Sequence, residues 1–435
     1  MTVLLTIVGI VLFVAGVLIS VGLHEMGHMI PAKAFGMKVT QFFVGFGRTV
    51  WSVKRGETEY GIKAIPAGGF VRIIGMMPPA KGQDPTKVRK ANTGPIQSMV
   101  ENARSAEYET IAPEDDGRLF YQKVWWKKLI VMASGPLVNV VIAFVLFGGL
   151  YMLYGTPVAQ TTVSTVTDCV IPANQATPDR KCTDTDKVSP AKDAGFQVGD
   201  KIVSFNGTQI SSWDQLTPLI RSNTDKPATI VVERNGVQKT LKTSTIMNQV
   251  QESATSEKLV SVGFLGISPT EKVERQSFGF VVDQMGKLTV STVQALGRFP
   301  EKLVGVAKSI VGGQRDQDSP MSVVGASRVA GEVASSDLGV GQKIATGILL
   351  LASLNLFLAL FNFIPLLPLD GGHMIGAIWE GIRRGLAKLF GRPDPGYVDV
   401  AKLLPIAYVA ASVIVVMGVL LVIADIVNPI KLFNG

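Results

Sequence analysis

Apolar residues in this chain come in blocks. Three runs are long enough to cross a bilayer, which takes ~20 mostly apolar residues: Val3 to about Ile30, Leu129 to about Tyr154, and Ala401 to about Val427. A fourth, Ile344 to Ile364, is followed by Pro365 and Pro368, which break helices. Four such runs predict membrane spans rather than buried core helices. No basic residue precedes the first run, so a cleaved secretory signal is not expected and the first span should be retained.

The segments between these runs have their own patterns. The stretch "MKVTQFFVGFGRTVWSVKRGETEYGIKAIPAGGFVRI" alternates and is rich in Val, Phe, Tyr and Ile. It predicts a membrane-associated β-hairpin over residues 35–78 that turns at "KRGET". Its "GFG" (Gly45 to Gly47) and "AGG" (Ala67 to Gly69) leave backbone open to close approach, and a free strand edge there could pair with an extended peptide. Residues 79–128 read as a polar cytoplasmic segment ending in "RLFYQKVWWKK". There Tyr121, Trp125 and Trp126 beside lysines suit a membrane interface.

After the second span (129–155), "AGFQVGDKIVSFNG", "SWDQLTPLIRS" and "ATIVVERNGVQKTLKT" give turn, strand, short helix and a hairpin at Asn235-Gly236. Ser211 or Ser212 would cap the helix. This order, over 156–268, resembles a bacterial-type PDZ domain. Helical spacing of Phe280, Leu288, Val293, Leu296 and Leu303 predicts an amphipathic region over 269–342. The third span, with its proline-bearing end, is assigned to 343–378, a polar loop to 379–400, the fourth span to 401–427 and a tail to 428–435. The predicted class is thus a polytopic α-helical membrane protein of about four spans, with a β-hairpin region and an extracytoplasmic α+β domain.

Charge sets the expected orientation. The chain is 47% hydrophobic with a net charge of +8. Such a charge can mark nucleic-acid binding, but its placement favours topology. Lys123, Lys127 and Lys128 precede the second span, and Arg383, Arg384, Lys388, Arg392 and Lys402 lie between the third and fourth. The twenty residues after Tyr154 carry no Lys or Arg. The positive-inside rule then puts the first and third connections in the cytoplasm, and both termini and the middle segment outside. Cys169 and Cys182 fall in that outer segment, where a disulfide is expected, with two free thiols as the alternative.

Within the first span lies "HEMGH". His24 and His28 are four apart and share a helix face, beside Glu25. H-E-x-x-H on a helix supplies two zinc ligands and a general base, and ionisable residues inside a span are costly unless used. A catalytic zinc needs a third protein ligand. Glu57 and Glu59 are possible but sit in the polar hairpin turn. Asp370, in "NFIPLLPLDGGH", follows an apolar stretch with no earlier acid nearby and is the better candidate. His373, three residues on, could serve as a fourth ligand or as a neighbour of the site, and the sequence assigns it neither role.

"HEMGH", the hairpin stretch, "ASGPLVNVV" and "NFIPLLPLDGGH" together resemble the site-2 proteases, intramembrane zinc metalloproteases. The likeness covers nearly the whole chain and is strongest to the actinobacterial, sigma-factor-regulating branch. It implies one zinc ion on His24, His28 and Asp370, with Glu25 as catalytic base and Asn362 as a catalytic and substrate-binding amide. It also implies Gly45, Phe46, Gly47, Gly68 and Gly69 as residues holding an extended substrate. Expected partners are the lipid bilayer, single-pass membrane substrates such as anti-sigma factors, and an upstream site-1-type protease; nucleic acid is not expected. Two competing readings are a metal-ion transporter and a PDZ-bearing scaffold. A transporter would predict pseudo-symmetric halves, which the sequence lacks, and a scaffold would not need Glu25.

Overall fold

A computed structural model describes residues 2–78, 111–171, 180–183, 185–251, 259–313, 315–316 and 319–430. Most of the expected polar segment 79–128 falls outside them. The chain divides into two compact units, one of residues 1–150 with 278–435 and one of residues 151–277.

The first unit holds four helices long and apolar enough to cross a membrane: α1 (Thr2–Ala34), α2 (Trp125–Gly149), α8 (Val340–Asn362) and α10 (Leu404–Val427). Most of their surface is open and apolar, as lipid requires. Their mutual contacts use small residues, the usual device where burial of apolar surface drives nothing. A Cβ on Gly331 of α7 (Val323–Ser335) would fall 2.9 Å from the Thr6 carbonyl oxygen. A Cβ on Gly27 would fall 3.0 Å from Gly135 Cα. Those glycines set how closely α1 approaches α7 and α2. Between α1 and α8, the fully buried Asn355 amide donates to Ser20 Oγ at 3.0 Å.

The hairpin region consists of β1 (Val39–Arg55) and β2 (Thr58–Ile73). Both strands bend, so the segment 41–44 has partners on two sides: Glu59–Ile62 on one and Gly69–Arg72 on the other. Gly45 (φ 94°) and Gly47 (φ 84°) make the bend in β1, and a Cβ on Gly45 would stand 2.9 Å from the Lys63 carbonyl oxygen. Met29, Ala32, Met37, Val39, Ile73, Phe120 and Val131 form the core that seats this sheet against α1 and α2.

The third hydrophobic segment departs from the expected single helix over 343–378. α8 ends at Asn362, and a separate helix, α9 (Asp370–Leu389), begins after a turn holding Pro365 and Pro368. The assigned loop 379–400 is accordingly helical up to Leu389. Its arginines and lysine hide an apolar stripe that recurs at helical spacing, so a count of charges misses the helix.

The second unit is a small α+β body. β3 (Thr156–Val166), β4 (Lys201–Phe205), β6 (Pro227–Arg234), β7 (Val237–Ser244) and β10 (Ile267–Glu274) form an antiparallel sheet in the order β10-β3-β4-β6-β7, with the short β5 (Thr208–Gln209) on β4. β8 (Ile246–Gln251) pairs with β9 (Leu259–Phe264). α3 (Pro190–Asp193) and α4 (Trp213–Ser222) complete it. Ser212 is the α4 cap, accepting from Gln215 N. Asn235 (φ 53°) and Gly236 (φ 80°) make the tight β6–β7 turn. Ile202, Phe205, Leu216, Ile230, Val232 and Leu265 fill the core. Cys169 and Cys182 are bridged. Residues 267–274, expected partly as an amphipathic helical region, pair instead with β3. Helical structure starts at α5 (Phe278–Gly297) and continues in α6 (Phe299–Ile310).

Candidate metal centre

Helical spacing in α1 puts the His24 and His28 rings on one face. Their Nε2 atoms are 3.3 Å apart. Asp370 Oδ2 lies 3.3 Å from each of them. Three donor atoms therefore form a near-equilateral triangle. Zinc bound at ~2.0–2.1 Å in tetrahedral geometry holds its ligand atoms about 3.3–3.4 Å apart. The donor set, two imidazole nitrogens and one carboxylate oxygen, is also of the type zinc takes in catalytic sites. The residues fit one zinc ion with a fourth position free. Among the described residues no other group of three such side chains converges in this way.

Each ligand is held by its surroundings. His28 Nδ1 donates to the Val131 carbonyl oxygen at 2.7 Å. A carbonyl can only accept, so Nδ1 carries the proton and Nε2 presents its lone pair to the metal position. Gly135, one turn along α2 from Val131, leaves room for this ring: a Cβ there would lie 2.5 Å from His28 Cε1. Asp370 is the first residue of α9, where a carboxylate is favoured by the helix dipole. Gly371 and Gly372 follow because the preceding turn folds back on them. A Cβ on Gly371 would meet the Phe363 carbonyl oxygen at 2.6 Å, and one on Gly372 would meet Leu367 N at 2.5 Å.

The triad opens on a cavity of about 710 Å³, within the usual range for a ligand site. Glu25, buried, lines it together with Gly68, Gly69, Asn362 and His373. Gly69 approaches closely enough that a Cβ would sit 3.0 Å from Glu25 Cγ. The strand segment 68–73 thus forms one wall beside the carboxylate.

Gly45, Phe46 and Gly47 do not line this cavity. The two glycines shape the bend of β1, and Phe46 stacks on Phe70 with ring centroids 6.2 Å apart. Glu57 pairs with Arg118 at 2.7 Å and joins no metal triad, nor does Glu59. His373 borders the cavity but stands outside the triad, its Nδ1 buried without a hydrogen-bond partner among the described residues.

The sequence reading missed three features. One is the Val131 carbonyl, which no sequence signal marks. Another is Asn139, a buried amide of α2 that lines the same cavity; a polar residue inside an apolar run was its signal. The last is a buried ion pair between Lys128 of α2 and Glu380 of α9, at 2.7 Å. Glu380 also accepts from Val398 N at 3.3 Å. The pair joins the helix that orients His28 to the helix that carries Asp370.

Comparison with known proteins points the same way. The model of "Peptidase family M50" matches residues 12–392. The chain is 34% identical to "Zinc metalloprotease Rip1" of Mycobacterium tuberculosis strain H37Rv, over 98% of this chain and 99% of that one. Identity to the protein of the same name from Mycolicibacterium smegmatis is 35%, over 98% and 99%. It is 26% identical to "Metalloprotease MmpA" of Caulobacter vibrioides, over 86% of each. A family match that spans the triad, and relatives aligned end to end, make this chain a member of peptidase family M50, the site-2 proteases, and hence an intramembrane zinc metalloprotease.

Proposed function

We propose that the enzyme cuts single-pass transmembrane proteins, anti-sigma factors among them, within or near the bilayer, after an upstream site-1-type protease has trimmed them outside. The observation that carries this reading is the wall of the metal cavity. Gly68 and Gly69 lie in the last part of β2, beside Glu25, and a substrate in extended form can add to such an edge by main-chain hydrogen bonds. A helical segment must unwind to bind this way, which explains why a sheet stands next to the metal inside a helical membrane protein.

The roles follow from the side chains. Zinc on His24, His28 and Asp370 would supply a polarised, readily deprotonated water. The Glu25 carboxylate would accept a proton from the attacking water and pass it to the amine nitrogen released on cleavage. The Asn362 amide, at the end of α8, donates to the scissile carbonyl oxygen as charge builds on it. Gly68 and Gly69 hold the substrate backbone, and Gly45, Phe46 and Gly47 support that wall from behind by shaping the sheet. We read the second unit as a PDZ domain, on its strand order and its single longer helix. We place it, with both termini, outside the cell membrane and the metal toward the cytoplasm, on the distribution of Lys and Arg.

The test is cleavage of a single-pass substrate, already trimmed outside, by purified enzyme and by Glu25→Gln, with zinc measured in both. Cleavage by the parent alone, with zinc retained in both proteins, is the expected result. Activity retained in Glu25→Gln would remove Glu25 from the chemistry. A zinc-loaded parent that cuts no trimmed membrane substrate would remove the substrate class.

A further inference from the structure

α9 begins at a metal ligand and is not one of the four membrane-crossing helices. One of its faces is buried: Gly372, Gly376, Ala377 and Glu380. The face that carries Ile375, Ile378, Trp379, Ile382, Leu386 and Leu389 is largely open, these side chains being 40–77% exposed. Most recur at intervals of three and four, so they form one stripe along about 21 Å of helix. A stripe of that length is not left in water.

Two observations say what covers it. The first is continuity. Gly381 lies against the Trp125 ring, where a Cβ would come within 2.6 Å of Cδ2. Trp125, Trp126 and Ile130, at the start of the spanning α2, are themselves exposed. Tryptophans beside lysines at a span end mark the level of the headgroups. α9 is attached to α2 at that level, through Lys128 and Glu380. The second is charge. The acids around the helix are taken up: Asp370 by the metal triad, Glu380 by Lys128 and Asp394 by Arg384 at 3.5 Å. Lys388 and Arg392 remain exposed at its far end. An apolar stripe edged by cations is the design of a helix lying in the surface of an anionic membrane.

We infer that α9 is an in-plane membrane helix. Its apolar stripe is sunk among acyl chains and its basic end is held by anionic phospholipid headgroups. Because its first residue is Asp370, the lipid surface becomes part of what positions the third metal ligand. The leaflet, cytoplasmic, rests on the topology proposed above; the burial in lipid does not.

The test is spin-label accessibility on the full-length protein in vesicles. Cys169 and Cys182 are bridged, so single cysteines at Ile382→Cys, Leu386→Cys and Lys388→Cys can be labelled without reductant. Labels at 382 and 386 should collide freely with oxygen and little with a water-soluble nickel complex, and the label at 388 should do the reverse. The label at 386 should sit deeper in vesicles containing phosphatidylglycerol than in phosphatidylcholine alone. The difference should vanish in a Lys388→Glu, Arg392→Glu background. Equal nickel access at all three sites would put the stripe in water. Low access to both reagents at 382 and 386, with spin–spin broadening between chains, would put a second copy there. Either result overturns the inference, and immersion independent of phosphatidylglycerol overturns its anionic part. None of these readouts requires protease activity, so failure of the substrate proposal would leave them intact.

Discussion

Replacing Gly135 by Ala should disable the enzyme although it improves the helix. Ala is favoured over Gly in helices by about 0.8–1.0 kcal/mol, so propensity alone predicts a gain. At this position the new Cβ would stand 2.5 Å from His28 Cε1 and 2.7 Å from Cδ2, and nearer still to Nε2. Ordinary carbon contacts are about 3.5–4.0 Å, so the ring must retreat by roughly 1 Å. Its far side is tied to the Val131 carbonyl at 2.7 Å on the same helix, so retreat also breaks that bond. Metal–ligand distances tolerate only about 0.2 Å. Loss of a supporting partner alone weakens metal binding by about 10–100-fold, and here the ligand itself moves. Zinc affinity should therefore fall by about 100-fold or more, read by chelator competition on the purified protein, with cleavage lost in parallel. Helix content should be unchanged. Gly148→Ala on the same helix, where a Cβ meets nothing, serves as the control and should keep both zinc and activity. Zinc affinity within about three-fold of the parent in Gly135→Ala, a small fraction of that expected loss, would refute the close-approach argument.

Lys128→Met leaves the buried Glu380 with Arg384, at 3.4 Å, as its cationic partner, so thermal unfolding should show a loss of at most about 3–5 kcal/mol; the double replacement Lys128→Met, Glu380→Leu should recover most of it. Asp370→Asn should lose zinc outright in metal analysis, because a neutral amide replaces the only anionic ligand. In the second unit, burial pushes the Asp200 carboxyl up, but the Arg234 guanidinium and the Gln197 amide outweigh it and hold it below the usual carboxylate value. Its stabilising contribution is complete above the unfolded-state value of about 3.9 and fades as pH falls through the lower folded value. Hydrogen exchange in β4 and β6 should therefore rise only below about pH 4, and Arg234→Met should move that onset to higher pH. Reducing the Cys169–Cys182 bridge, which closes a short loop, should destabilise this unit by about 3 kcal/mol, seen in the same exchange experiment.

The site was legible where chemistry is local or costly. His24, Glu25 and His28 stand four residues apart or less in an apolar run, and Asp370 is an acid at the end of another, so solvation cost alone marks them. The presence of four spans was legible from their apolar length, but the end of the third was not: it stops at Asn362 rather than at 378. What escaped depends on neighbours distant in sequence. Lys128 and Glu380 are 252 residues apart, and each alone looks like an ordinary surface charge. The two-sided pairing of 41–44 needs a bend at Gly45 and Gly47, which alternation in a hairpin does not announce. α9 was hidden because its cations read as loop, while its apolar residues kept helical period on a single face.

Asp370 follows His28 by about 340 residues. At the usual 5–20 residues per second of synthesis, roughly 17–70 s separate the appearance of the first two members of the triad from that of the third. During that interval the nascent chain holds only two imidazoles, too few to retain a catalytic metal. On the proposed ligand set, the chain is thus inert while its own first spans are being inserted. It gains the power to cut only when its third hydrophobic segment has joined the first.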